Sequence, residues 1–253
     1  MRGAAAGFGL LLACTPSAMA TILLDHPRTE QTLSAPGPGG NPGRALKIHC
    51  ATYPTFMVRD VHEGDDIGTA SVSVVPITPS VPARCSATQS PEAKELPDFG
   101  SMAVDGAVGR FLLLTWPDGA NGATSFSIFD AVAVRKLYTD TVKLDGFTRF
   151  AIGPGGDTLD LGFVRVLNVP CSLLSGGAAC WNRFAREAKL PAEIARRGPP
   201  VQACASAYAR ATGPVRVQAS DPSVVAYSVA MTLSVAGTAT VLSRGELSCW
   251  PSE

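Results

Sequence analysis

The densest group of side chains able to do chemistry is the run Arg59-Asp60-Val61-His62-Glu63-Gly64-Asp65-Asp66. Four carboxylates and an imidazole within seven residues could supply much of the set of roughly six to eight oxygens that Ca²⁺ takes, and Gly64 permits the turn such a loop needs. The candidate cation ligands are therefore Asp60, His62, Glu63, Asp65 and Asp66. Their spacing does not match an EF-hand, and the same composition suits a solvated acidic turn between two strands. All three histidines, His26, His49 and His62, precede residue 63. A Ser-His-Asp or Cys-His site must use one of them, with His49 or His62 as its base, because His26 comes before a Pro/Gly-rich linker. The chain has no G-x-S-x-G elbow, H-E-x-x-H helix, Walker loop or G-x-G-x-x-G after a strand, so no catalytic residue and no cofactor is assigned. Asp157 and Asp160 could form the carboxylate pair of a glycosidase only if the fold sets their spacing.

The cysteines carry the strongest covalent signal. Six of the seven, Cys50, Cys85, Cys171, Cys180, Cys204 and Cys249, follow the leader described below. An even number in an exported chain reads as disulfides. Joining neighbouring segments favours Cys50 with Cys85, Cys171 with Cys180 and Cys204 with Cys249; exchange among the last four is the alternative. Zinc is disfavoured because the cysteines form no C-x-x-C pair and the histidines lie far from the C-terminal ones. A third feature is basic: residues 183–216 hold seven Lys/Arg against Glu187 and Glu193, a net of +5. Arg183, Arg186, Arg196 and Arg197 could hold an anionic envelope polymer, or their stems could simply cover apolar helix surface. Trp116, Trp181 and Trp250 could stack on sugars or lie in the core.

These groups need elements to position them. The 253 residues carry 21 Lys+Arg and 21 Asp+Glu, with 46% hydrophobic and 17% charged residues, which excludes a disordered or collagen-like chain. A neutral balance also excludes nucleic acid as the expected partner, since such binding releases counterions through many basic contacts. Met1-Arg2, an apolar stretch and Ala18-Met19-Ala20 read as a secretory signal over residues 1–20. Its apolar core is too short to span a bilayer. Leu11-Leu12-Ala13-Cys14 also resembles a lipobox, so anchoring through a lipidated Cys14 is the alternative to a free periplasmic or extracellular protein.

Residues 21–44, rich in Pro and Gly from residue 34 onward, form an N-terminal arm or linker, and residues 45–253 a single β-rich domain. Alternation places strands at 46–50 and 69–75 on either side of the acidic loop 60–66, followed by a Pro-rich connection over 76–97. Residues 110–116 and 125–129 make a hairpin around Gly119-Ala120-Asn121-Gly122, with more strands at 133–138, 148–152 and 161–169. Trp181, Phe184, Ala185 and Ala188 change the period to that of a helix and open a helical insert at about 178–211. The uncharged run 222–243 is long enough to cross a membrane. However, Val225, Tyr227, Val229, Met231 and Leu233 alternate with small or polar residues, so it reads as a long strand that turns near Gly237 and returns to Trp250.

The stretch from Asn168 to Tyr208, with Cys171, Cys180-Trp181 and Cys204, and the ending Ser248-Cys249-Trp250-Pro251 resemble a group of uncharacterised exported bacterial envelope proteins. The likeness covers about the C-terminal third. It implies disulfides and an envelope location and brings no activity and no residue role. The expectation is a mainly β fold of antiparallel sheets, sandwich-like, with a small disulfide-stapled helical insert. The functional expectation is a non-catalytic binding or structural component of the bacterial envelope; a secreted hydrolase using the 60–66 loop is the alternative.

Overall fold

Phe111-Leu112-Leu113-Leu114 is an unbroken apolar run because its strand is covered on both faces. The computed structural model describes residues 23–37, 44–78, 84–117, 119–211 and 217–252. It arranges them as three antiparallel sheets. The first runs in order through β1 (Thr29–Ala35), β2 (Leu46–Thr52), β3 (Phe56–Glu63), β4 (Ser71–Pro76) and β5 (Lys94–Glu95). The second is a meander of β6 (Ala103–Val108), β7 (Phe111–Thr115), β8 (Ala123–Asp130) and β9 (Arg135–Lys143). In the third, β10 (Phe147–Ile152) pairs with β11 (Thr158–Val169) and β11 with β12 (Ser223–Ser234). β13 (Ala239–Arg244) and β14 (Ser248–Pro251) then share the other side of β12.

The second sheet is the middle layer of a sandwich-like stack. Leu112, Leu114 and Phe129 pack with Ala51, Phe56, Val58, Val72 and Val74 of the first sheet. On the opposite face, Phe111, Leu113, Phe126 and Ile128 pack with Phe163, Tyr227, Val229 and Met231 of the third. Phe126 is the hinge of that contact, edge-on to both Phe147 and Phe163 at 5.0 Å between centroids. Each fully buried side chain of this kind contributes about 1.5–3 kcal/mol, so both cores are substantial. The outer face of the first sheet, with Ile48, Met57, Val61 and Val75, is covered by Leu33, Ala35, Ile77, Cys85 and Ala93. The Cys50–Cys85 bridge fastens the segment after β4 onto that face.

Between β11 and β12 lie α1 (Leu173–Glu187), α2 (Ala192–Arg196) and α3 (Val201–Arg210). Ser172 caps α1 by accepting from the Leu174 and Ser175 amides. Trp181, Phe184, Ile194, Cys204 and Tyr208 turn inward and extend the third sheet's core. Cys171–Cys180 closes the start of α1, while Cys204–Cys249 ties α3 to β14. The fold is thus mainly antiparallel β with a small disulfide-stapled helical insert, and among the described residues no helix is long and apolar enough to cross a membrane.

Three local expectations are corrected. The stretch 21–44 read as an arm contains β1, paired residue for residue with β2 from Thr29↔Thr52 to Ala35↔Leu46. Strand pairing is a backbone property, and the Pro/Gly content that argues against it begins only at Pro36. The 60–66 loop is mostly strand: β3 reaches Glu63, which places Asp60, His62 and Glu63 on the sheet. Polar residues at inward positions hid that alternation. The helical insert begins at Leu173 rather than near 178, with a break at Gly177 (φ 47°, ψ −131°) that the apolar pattern does not register. The leader 1–20, Cys14 and Arg216 lie outside the described residues.

Candidate functional site

β2 and β3 pair so that His49 stands opposite Asp60 and Lys47 opposite His62. Cross-strand partners share a face, as do residues two apart on one strand, so His49, Asp60 and His62 lie together. Theirs is the inner face of the first sheet, whose other positions include Ala51, Val58 and Val72. Asp60 is 5% exposed, and its two oxygens serve different rings. Oδ1 is 3.1 Å from His49 Nδ1 and Oδ2 is 2.9 Å from His62 Nε2. His62 Nδ1 is in turn 3.1 Å from the Gly68 carbonyl.

These contacts occupy both nitrogens of His62 and Nδ1 of His49. His62 is committed at both nitrogens, which makes it a poor base toward a substrate. His49 keeps Nε2 without a partner among the described residues, on a side chain 36% exposed.

The five proposed cation ligands do not converge. Asp60 and His62 are joined as above, Glu63 pairs with Arg44 Nε at 2.6 Å, and Asp65 and Asp66 are exposed beyond the strand. Among the described residues no group of three or more His, Cys, Asp or Glu is placed to hold a metal ion. A cavity of about 320 Å³ does open beside the turn, lined by Glu63, Asp66, Gly68, Thr69 and Ser101 with two neighbours. Arg59, on the opposite face, donates to the Ser86 and Ala87 carbonyls at 3.3 and 3.0 Å. Burial lowers its pKa from the usual guanidinium value, and Asp60 works in the other direction.

A second buried charge cluster clamps the middle sheet to the third. Arg165 Nε lies 2.8 Å from both Asp140 oxygens, Tyr138 donates to Asp140 at 2.5 Å, and Arg165 Nη1 donates to the Tyr227 hydroxyl at 3.1 Å. Burial opposes the Arg165 charge, but the Asp140 hydrogen bonds outweigh it and raise the guanidinium's pKa. Burial, reinforced by Asp140, pushes the Tyr138 phenol well above its usual range.

The helical insert differs in how it treats its arginines. Every arginine on a strand has a partner: Arg59 its two carbonyls, Arg135 the Val235 carbonyl, Arg149 Asp160, Arg165 Asp140 and Arg244 Glu193. Arg183, Arg186 and Arg210 are exposed and have no acidic partner among the described residues, and Arg196 donates only to the Ala192 carbonyl. Arg197 differs from its neighbours, because it binds Glu193 and the Arg244 and Gly245 carbonyls and fastens α2 to β13.

The remaining sequence candidates separate. Trp181 is fully buried with Nε1 donating to the Ala195 carbonyl at 3.0 Å, Trp250 is half-buried beneath Lys143, and Trp116 is 38% exposed. Asp157 is held by Arg110 and Asp160 by Arg149, so each carboxylate is neutralised separately. The His49–Asp60 partnership was not legible before β3 was recognised, although Asp60 and His62 two apart would have signalled a shared face. Comparison with protein-family models, with curated proteins and with solved structures returned no match.

Proposed function

We propose that the protein is an exported, non-catalytic binding component of the bacterial envelope that holds an anionic envelope polymer on its helical insert. The observation that carries this reading is the contrast in arginine pairing. On the strands Arg149, Arg165 and Arg244 pair with carboxylates and Arg59 and Arg135 with carbonyls distant in sequence, whereas Arg183 and Arg186 have no acidic partner among the described residues and Arg196 has only a carbonyl of its own helix. Arg197, which the sequence groups with them, serves to dock α2 and contributes position rather than contact. Charges not held in an ion pair attract polyanions over several ångströms, an attraction that salt screens. Three disulfides support an oxidising compartment.

The test is retention on immobilised poly(glycerol phosphate), with neutral dextran as control, across increasing salt. The protein should bind at low salt and elute as ionic strength rises. Replacing Arg183, Arg186 and Arg196 together with Gln should abolish retention, while Arg149→Gln, on a strand, should leave it intact. Equal retention of the triple variant and the unaltered protein would overturn the reading.

A further inference from the structure

We infer that the outer edge of β1 is the surface through which two copies of the protein pair, antiparallel and centred on Thr32, joining their first sheets into one. β1 runs for seven residues in unbroken register with β2, and among the described residues its far side pairs with no strand. An open row of backbone N–H and C=O groups is a template for another strand, and proteins guard such edges by shortness, charge, bulges or cover. The other edges of this fold are guarded. β5 is two residues long, and the Asp25 amide donates to the Ala107 carbonyl of β6. β9 carries Arg135, Lys136, Asp140 and Lys143. β10 and β13 each meet their neighbour through a bulge, and β14 packs against α3. β1 has no bulge, and its one charged residue is Glu30.

Charge identifies the occupant as a second copy. Glu30 and Lys47 are both exposed, and neither has an ion-pair partner among the described residues. Glu30 stands opposite Ala51 and Lys47 opposite Ser34, so four residues of strand, about 13 Å, keep them apart within one chain. Identical strands that meet across a two-fold axis perpendicular to their sheet run antiparallel and keep their faces. Pairing Thr32 with Thr32 is the register of this kind that engages all seven residues. It sets each Glu30 opposite the other copy's Ser34, whose own neighbour on β2 is Lys47. Two strand spacings of about 4.8 Å then separate the backbones of Glu30 and Lys47, a gap that these long side chains close over the serine. Symmetry forms the pair twice, and Thr32 opposite Thr32 is itself a favourable cross-strand contact. An unrelated extended peptide would satisfy the backbone edge and leave both charges unanswered. One strand from each copy makes a small interface, below about 1,200 Å² in total, which suits a weak, reversible dimer.

The experiment is sedimentation velocity of the full protein at low salt, from about 1 μM to about 500 μM. The mass should rise from monomer to dimer with a Kd of roughly 10⁻⁵–10⁻⁴ M. Thr32→Lys sets like charges directly opposite each other and should raise Kd at least tenfold while leaving Tm unchanged, because the side chain is exposed in the monomer. Glu30→Lys and Lys47→Glu should each weaken association severalfold, and the two together should restore it, since the exchanged charges again face each other across the two-fold axis. A monomer at every concentration, an undiminished dimer in Thr32→Lys, or a double variant no better than the singles would overturn the proposal.

Discussion

Arg165 of β11 chelates Asp140 of β9 across the seam between the middle and third sheets, with Nε 2.8 Å from both carboxylate oxygens. The side chains are 22% and 9% exposed, so either charge alone would be left largely out of water. Arg165→Met should therefore destabilise the protein by about 2–4 kcal/mol, and Asp140→Asn by a similar amount. The double variant should recover much of that loss. Urea unfolding of all three checks it; strictly additive losses would show that the residues do not act as a pair.

The bridges should contribute unequally. Cys204–Cys249 spans 45 residues and Cys171–Cys180 spans 9. Loop-closure entropy then makes replacement of the first pair by Ala costlier by about 1.4 kcal/mol. Thiol titration of the unreduced protein should find no free thiol among these six positions. Equal costs for the two pairs would mean that native packing, not chain entropy, sets the contribution.

Glu193 gives the pH dependence a defined sign. The Arg197 hydrogen bond is the largest influence and lowers its carboxyl below the ordinary value; burial opposes it, and the Arg244 hydrogen bond adds a smaller lowering. A depressed folded pKa means stabilisation that is present above the unfolded value and lost as pH falls through the folded one. NMR titration should place the Glu193 midpoint below that of a model glutamate, and Glu193→Gln should remove the acid-side loosening of α2 from β13. An unshifted midpoint would sink this expectation.

Val134 sits at φ 51° in the β8–β9 turn, a left-handed conformation that a β-branched residue adopts at a cost. The turn is held by Asp130, whose Oδ1 accepts from the Val132 and Ala133 amides while Arg110 grips the same carboxylate. Val134→Asn should raise stability by about 1 kcal/mol, because Asn tolerates that region. A loss of that size would show that Val134's partial packing against the first core outweighs the strain.

Asp60→Asn should cost about 1–2 kcal/mol, since an amide offers one acceptor where two imidazoles are served now. Hydrogen exchange should quicken at Thr69 and Ala70, which follow the Gly68 carbonyl that His62 holds. Unchanged exchange there would show that His62 does not anchor this turn.

Wherever one driving force set the local pattern, the sequence was readable. β12 declares itself because Val225, Tyr227, Val229, Met231 and Leu233 all enter one core while their neighbours stay outside it. The helical insert follows from Trp181, Phe184 and their period, and nearest-neighbour reasoning was enough to propose the three bridges present in the structure. β3 escaped because Arg59, Asp60 and His62 occupy positions where alternation expects apolar groups, and each is satisfied by a partner distant in sequence or across a strand. β1 escaped because its side chains are mostly exposed and its order comes from backbone pairing. The partners of Arg165, and the lack of partners for Arg183 and Arg186, are properties of three-dimensional neighbourhoods that composition does not contain.

The pairing of β12 with β11 also sets a timetable. The two strands are in register from Thr158↔Ser234 to Val169↔Ser223, so all three helices must be made before the third sheet can close. Until then Phe111, Leu113, Phe126 and Ile128 are covered on their side of the middle sheet only by what β10 and β11 supply, without Tyr227, Val229 and Met231 of β12. A chain emerging N-terminus first would carry that half-covered apolar surface from the completion of β8 until β12 has been made. Translocation machinery that keeps chains extended would spare it this interval, and cytosolic production without such protection should favour aggregates over slow, correct closure.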